Sequence, residues 1–130
     1  MHANVDLIQR GFDAFAGGDM AALTKLLSPD VVWVSESGGI VGGRFEGRDE
    51  VFANWAKIPA ETGGTFRQDV QEIYADDRVA VARVNLSGTR RDKSLDGTSA
   101  VIVFVVKDEV VTQGRIIAGD PELNDEFWAE

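Results

Sequence analysis

The sequence predicts an α+β fold: a curved, cone-shaped antiparallel (mixed) sheet with three helices packed on its concave face. Three observations predict it. In the first sixty residues, apolar side chains recur at spacings of three and four, apart from one short β-branched run. From residue 65 onward, β-branched and aromatic residues alternate with polar ones. The breaks between those later runs are short Asp, Glu and Gly turns, and short turns pair consecutive strands antiparallel. The helices must bury their apolar stripes on one face of the sheet. A curved sheet covered on its concave side leaves a cone.

Residues 4 to 16 carry Val5, Ile8, Phe12 and Phe15 on one helical face, and Gly17-Gly18 stops the helix. Asp19 caps a second helix that buries Met20, Leu23, Leu26 and Leu27. Ser28-Pro29-Asp30 reads as a turn, and VVWVSE (31 to 36) as a strand. The next eleven residues, SGGIVGGRFEG, hold five glycines and predict a loop or irregular hairpin, a natural rim or lid. Arg48 to Lys57 forms a third helix with Val51, Phe52 and Trp55 on one side, ended by Pro59 and Gly63-Gly64. Strands follow at 65 to 75, 78 to 91, 98 to 107 and 110 to 119, with a polar loop at 93 to 97. Pro121 leads a closing turn of helix.

Composition narrows the function. The 130 residues, 44% hydrophobic, fit one domain spanning 1–130 with its own core. The net charge of −9 argues against nucleic acid and anionic membrane as partners. Arg90, Arg91 and Lys93 are the only basic cluster. No apolar run approaches the ~20 residues of a membrane span, and MHANVDLIQR does not read as a signal peptide. The chain lacks cysteine, which removes thiolate chemistry and is compatible with a cytoplasmic location. Its one histidine, His2, sits beside the terminus, where mobility is expected. A Ser-His-Asp triad and a His-ligated metal are thereby disfavoured. The expected chemistry needs no metal and no cofactor, and falls to carboxylates, Tyr, Lys or water.

Four stretches, FDAFAGGDMAALTKLLSPDVVW, GRFEGRDEVFANW, GGTFRQDVQEIYADDRVAVARV and GDPELNDEFW, resemble the nuclear-transport-factor-2-like (cystatin-like) superfamily. Within it they are similar to the SnoaL-like polyketide cyclase and ketosteroid isomerase group. The likeness covers nearly the whole chain. It implies a homodimer through the outer sheet face, where Val79 and Val81 alternate. Against the isomerases, Gly11 stands where the oxyanion-binding tyrosine would be, and Ser35, with Glu36 beside it, where the base would be. Against limonene-type epoxide hydrolases, Arg83-Val84-Asn85 has an amide in place of the catalytic aspartate, and an amide is no base. Against SnoaL-like cyclases, Asp120 matches the acid-base aspartate at the end of the last strand, while the penultimate strand, AVIVFVV, is apolar throughout.

Asp120 has two readings. As the turn former of Gly119-Asp120-Pro121, it caps the terminal helix. As a carboxyl on the pocket wall among Ile116, Ile117 and Phe104, burial would favour its neutral form and suit proton abstraction α to a carbonyl. Arg115, alternating with Gln113, would then bind a carboxylate or enolate, or else face solvent or a partner. Arg83 and Asn85 divide in the same way. Trp33, Phe12, Phe15, Phe52, Trp55 and Phe104 are the candidates for an aromatic wall around a small apolar or ring-shaped ligand. Tyr74 is a further donor and Glu36 a second base. Two functions remain: a cofactor-independent isomerase or cyclase working through Asp120, and a passive ligand-binding or dimerisation module.

Overall fold

The computed structural model describes residues 2–130. Helix α1 (Ala3–Ala16) starts at His2, whose ring accepts a hydrogen bond from Asn4 N–H. The other ring nitrogen lies 3.0 Å from Asp77. His2 thus contacts the turn that carries Asp77. Helix α2 (Met20–Leu26) is capped by the Asp19 carboxylate on Ala22 N–H. Strand β1 (Leu27–Ser35) follows, then a 3-10 turn (Gly39–Val41), β2 (Gly43–Glu46) and helix α3 (Arg48–Thr62). The second half is β3 (Arg67–Ala75), β4 (Val79–Arg90), β5 (Lys93–Lys107), β6 (Val110–Ala118) and helix α4 (Pro121–Phe127).

The six strands form one open sheet in the order β2-β1-β6-β5-β4-β3. β1 runs parallel to β6, and every other neighbouring pair is antiparallel. Alternation assigns the faces. Ala80, Ala82, Val84 and Leu86 of β4 and Ala100, Ile102 and Phe104 of β5 are buried against the helices. Their neighbours Val81, Val101, Val103 and Val105 are half-buried on the outer face.

One cross-strand row sets the inner surface. Trp33 of β1 pairs with Gly114 of β6, which pairs with Phe104 of β5, which pairs with Ala80 of β4. A Cβ on Gly114 would lie 2.3 Å from Trp33 Cζ3, so the indole lies across bare backbone. From there it meets Trp55 edge-on at 5.0 Å between ring centroids and Phe104 at 6.2 Å.

Three element boundaries differ from the sequence reading. Ser28-Pro29-Asp30 belongs to β1, where an irregularity between Leu27 and Val32 absorbs the extra residues opposite β6. The glycine-rich segment contains β2, paired antiparallel to β1, and is the irregular hairpin that the sequence offered beside a loop. α3 continues through Pro59 to Thr62. The proline sits in the last turns, where one lost bond is tolerated, and Gly63 N–H and Thr62 Oγ1 close on Pro59 O and Ile58 O. Residues 93 to 97 are strand because Leu95, 2% exposed, points into the core. Gly97, with φ +76°, is the unpaired residue between the Thr98–Leu86 and Asp96–Ser87 pairs.

Replacing Gly114 by Ala forces a methyl into the Trp33 ring. Overpacking of this kind is expected to cost ~1–3 kcal/mol in urea unfolding, with a changed tryptophan emission maximum in the folded protein. Wild-type stability in Gly114→Ala would show that the indole is free to move.

Candidate functional site

The helices and the sheet enclose a cavity of about 120 Å³. Its wall is built from α1 (Phe12, Phe15), α3 (Trp55, Ile58) and the sheet (Trp33, Phe104, Ile116). The rings hold one another edge-on: Phe12–Phe104 at 6.1 Å and Phe15–Trp55 at 5.7 Å between centroids. Four polar side chains interrupt the wall, Ser35, Asn54, Gln68 and Asn124. All are amides or hydroxyls.

The closed end of the cone is the glycine-rich segment. Ile40 N–H bonds Trp128 O at 3.0 Å, and a Cβ on Gly39 would lie 2.3 Å from that same oxygen. Gly38 N–H donates to the Asp125 carboxylate at 2.7 Å, and Lys57 Nζ donates to Ile40 O at 3.0 Å. Asn54 Nδ2 donates to Val41 O at 3.0 Å, and Asn124 Nδ2 to Ser37 Oγ at 2.8 Å. The segment is thus pinned between α3 and α4 and forms a floor, not the rim or lid its glycines suggest. The opposite end opens between α1, α3 and the start of β3, where Phe12, Phe15, Trp55, Ile58, Phe66 and Gln68 border both the cavity and an outer concavity of about 530 Å³.

Asp120 is outside this space. It is exposed, and its carboxylate caps α4 by accepting Leu123 N–H at 3.1 Å. Gly119 N–H still bonds Ser99 O at 2.8 Å beyond the last residue of β6, and Asp120 then leads directly into α4. The placement on the pocket wall is corrected accordingly: the turn-former reading describes the geometry. Arg115 is also exposed, and its guanidinium pairs with Glu36 across the outer face, so neither approaches the cavity. Both follow from the period of two, since Arg115 and Ile116 must point to opposite faces. Ile117 lies outside as well, 45% exposed, leaving Ile116 as the wall residue. Phe52 borders the outer concavity rather than the inner cavity. Tyr74 is 64% exposed and donates to Glu72 Oε2 at 2.5 Å, with Arg83 on the other carboxylate oxygen at 2.9 Å.

The groups with shifted protonation are all away from the cavity. The Tyr74 hydroxyl, then Arg83, hold the Glu72 carboxyl below its ordinary range, and the same hydrogen bond raises Tyr74. Backbone N–H groups of Arg78 and Val79 lower Asp76 in the β3–β4 turn. Among the described residues no group of three His, Cys, Asp or Glu side chains is placed to hold a metal ion. No helix among them is long and apolar enough to cross a membrane.

Sequence reasoning missed Asn54 and Asn124. Asn54 is 3% exposed and Asn124 8%. A polar residue on an otherwise apolar helix face, as Asn54 is beside Val51 and Trp55, is the signal that was available.

Residues 8–119 match the family model described as SnoaL-like domain. The chain belongs to the SnoaL-like family. This SnoaL-like protein is 32% identical to the uncharacterized protein Rv0034 of Mycobacterium tuberculosis, over 98% of this chain and 97% of that one. Among solved structures it is similar to Bal32a from a soil-derived mobile gene cassette, at 32% identity and TM-score 0.91, covering 96% of this chain and 95% of the other. A protein with a cystatin-like fold from Xanthomonas campestris, at 23% identity, superposes with TM-score 0.89 over 97% and 98% of the two chains and shows the shared fold. The fold implied by the resemblance is the one observed.

Loss of the cap in Asp120→Ala is expected to cost ~1 kcal/mol, and Asp120→Asn, itself a good cap, much less. Urea unfolding measures both. Equal losses in the two variants would mean that the negative charge, not the cap, matters at this position.

Proposed function

We propose that the SnoaL-like domain, taken as residues 1–130, binds a small, neutral, largely apolar molecule carrying one ring in its cone. The observation that carries this reading is the composition of the wall: aromatic and aliphatic groups with only amides and a hydroxyl among them. An apolar site with few convergent polar groups is the usual form of a small-molecule pocket. A volume of about 120 Å³ is close to that of an engineered apolar cavity of ~150 Å³ that takes up benzene. Anything larger extends through the mouth toward the outer concavity. An ionised ligand would enter without a counter-charge, at a cost of several kcal/mol or more.

The same composition disfavours acid-base catalysis on the wall. A general acid or base must reach the proton it moves directly or through one water. Asp120, the residue the cyclase resemblance offers for that role, is spent on the α4 cap in solvent.

Self-association through the outer sheet face belongs to this reading. Val79, Ile117 and Tyr74 are exposed there at 36%, 45% and 64%, beside the half-buried valines of β4 and β5. Sedimentation at micromolar concentration is expected to show a dimer, and a monomer throughout would remove this part of the proposal.

Charge selectivity tests the pocket. In NMR titrations at neutral pH, benzyl alcohol is expected to shift resonances of Trp33, Trp55 and Asn54 and to bind at least ~10-fold more tightly than benzoate. Tighter binding of benzoate at these residues would overturn the reading.

A further inference from the structure

The polar groups of the floor are not equally satisfied. Ser35 Oγ donates to Ser37 O at 2.6 Å, and Asn124 Nδ2 donates to Ser37 Oγ at 2.8 Å. Asn54 is different. Its Nδ2 is used on Val41 O at 3.0 Å, which fixes the orientation of the amide, since the flipped form would set two oxygens against each other. Its Oδ1 is then left as the one buried side-chain oxygen or nitrogen, among the described residues, without a protein partner. Asn54 is 3% exposed and forms part of the cavity wall.

A buried acceptor without a donor is costly, and native structures rarely leave one without a reason. An amide oxygen can only accept. The geometry points to Asn54 Oδ1 as the specificity-determining acceptor for a ligand that carries a hydroxyl or N–H donor on its ring. The ligand class is a neutral monocyclic phenol or cyclic alcohol, with the ring among Trp33, Trp55 and Phe104 and the hydroxyl turned to α3. This inference rests on the binding reading above and adds the chemical group that the pocket selects. It also gives the pocket a negative preference. A ketone or ether of the same size brings a second acceptor to Asn54 Oδ1 and gains no hydrogen bond there.

Phenol and toluene are the discriminating probes, because they are nearly equal in shape and differ by one hydroxyl against one methyl. In a wholly apolar cavity toluene binds better, since phenol gives up its hydrogen bonds to water. Titration of the wild-type protein by NMR, following the Asn54 side-chain amide, is expected to show phenol binding at least as tightly as toluene. In Asn54→Leu, which keeps the volume and removes the acceptor, the order should invert, with toluene preferred by ~10-fold. If wild type prefers toluene by the same margin as the variant, the donor inference fails while the binding reading stands. A phenol preference retained in Asn54→Leu also overturns it, because the donor is then received elsewhere on the floor. If Asn54→Leu does not fold, the wild-type pair decides alone, and tighter binding of toluene refutes the proposal. Should neither probe perturb the cavity resonances, the binding reading and this inference fall together.

Discussion

The structure turns on an indole lying across a glycine. Trp33, Gly114 and Phe104 stand side by side on three adjacent strands, and the absence of a side chain at the middle position lets the Trp33 ring lie flat toward its neighbours. Without that gap the indole would have to rise off the sheet into the space that is now the cavity. With it, Trp33 meets Trp55 from α3 edge-on and Phe104 from β5 at a tilt. Rigid rings in mutual edge-to-face contact resist collapse better than flexible aliphatic chains, because each is held at an angle that its neighbours fix. The hollow is thus a consequence of the wall that surrounds it.

A second constraint seals the far end. Arg90, 2% exposed, leaves β4 to donate to Phe127 O at 2.9 Å and Ala129 O at 2.7 Å, and pairs with Glu61 of α3 at 2.9 Å. Lys93 adds a bond to Glu126 O. Basic groups at the C-terminal end of α4 satisfy carbonyls that the helix itself cannot. These bonds hold Trp128 where its carbonyl receives Ile40 N–H, so the glycine-rich floor, α3 and the C-terminal helix become one connected network. Asn54 sits inside that network, which gives its amide a fixed direction.

Much of the fold was legible because it is periodic. Ile8, Phe12 and Phe15 mark α1, and the alternation in β4 through β6 marks both faces of the sheet. What escaped was decided by distant partners. Ser28-Pro29-Asp30 has turn chemistry, yet it is strand because β6 lies beside β1 in parallel. Residues 93 to 97 look like a loop, but Leu95 needs the core. The glycine-rich segment looks like a rim or lid until the C-terminal Trp128 is brought against it. The site was harder still. Asp120 stands at the sequence position expected of a cyclase acid, but β6 ends at Ala118 and the Asp120 carboxylate caps α4 in solvent. Asn54 carries no motif, and only the folded chain shows one of its two polar ends without a partner.

To accept a neutral apolar guest, the cone must be hollow and dry. A crystal structure under xenon pressure tests this most directly. The expected result is a xenon peak between Trp33, Trp55 and Phe104, with these rings unmoved. A cone filled by its own side chains, with no xenon bound inside, would contradict it.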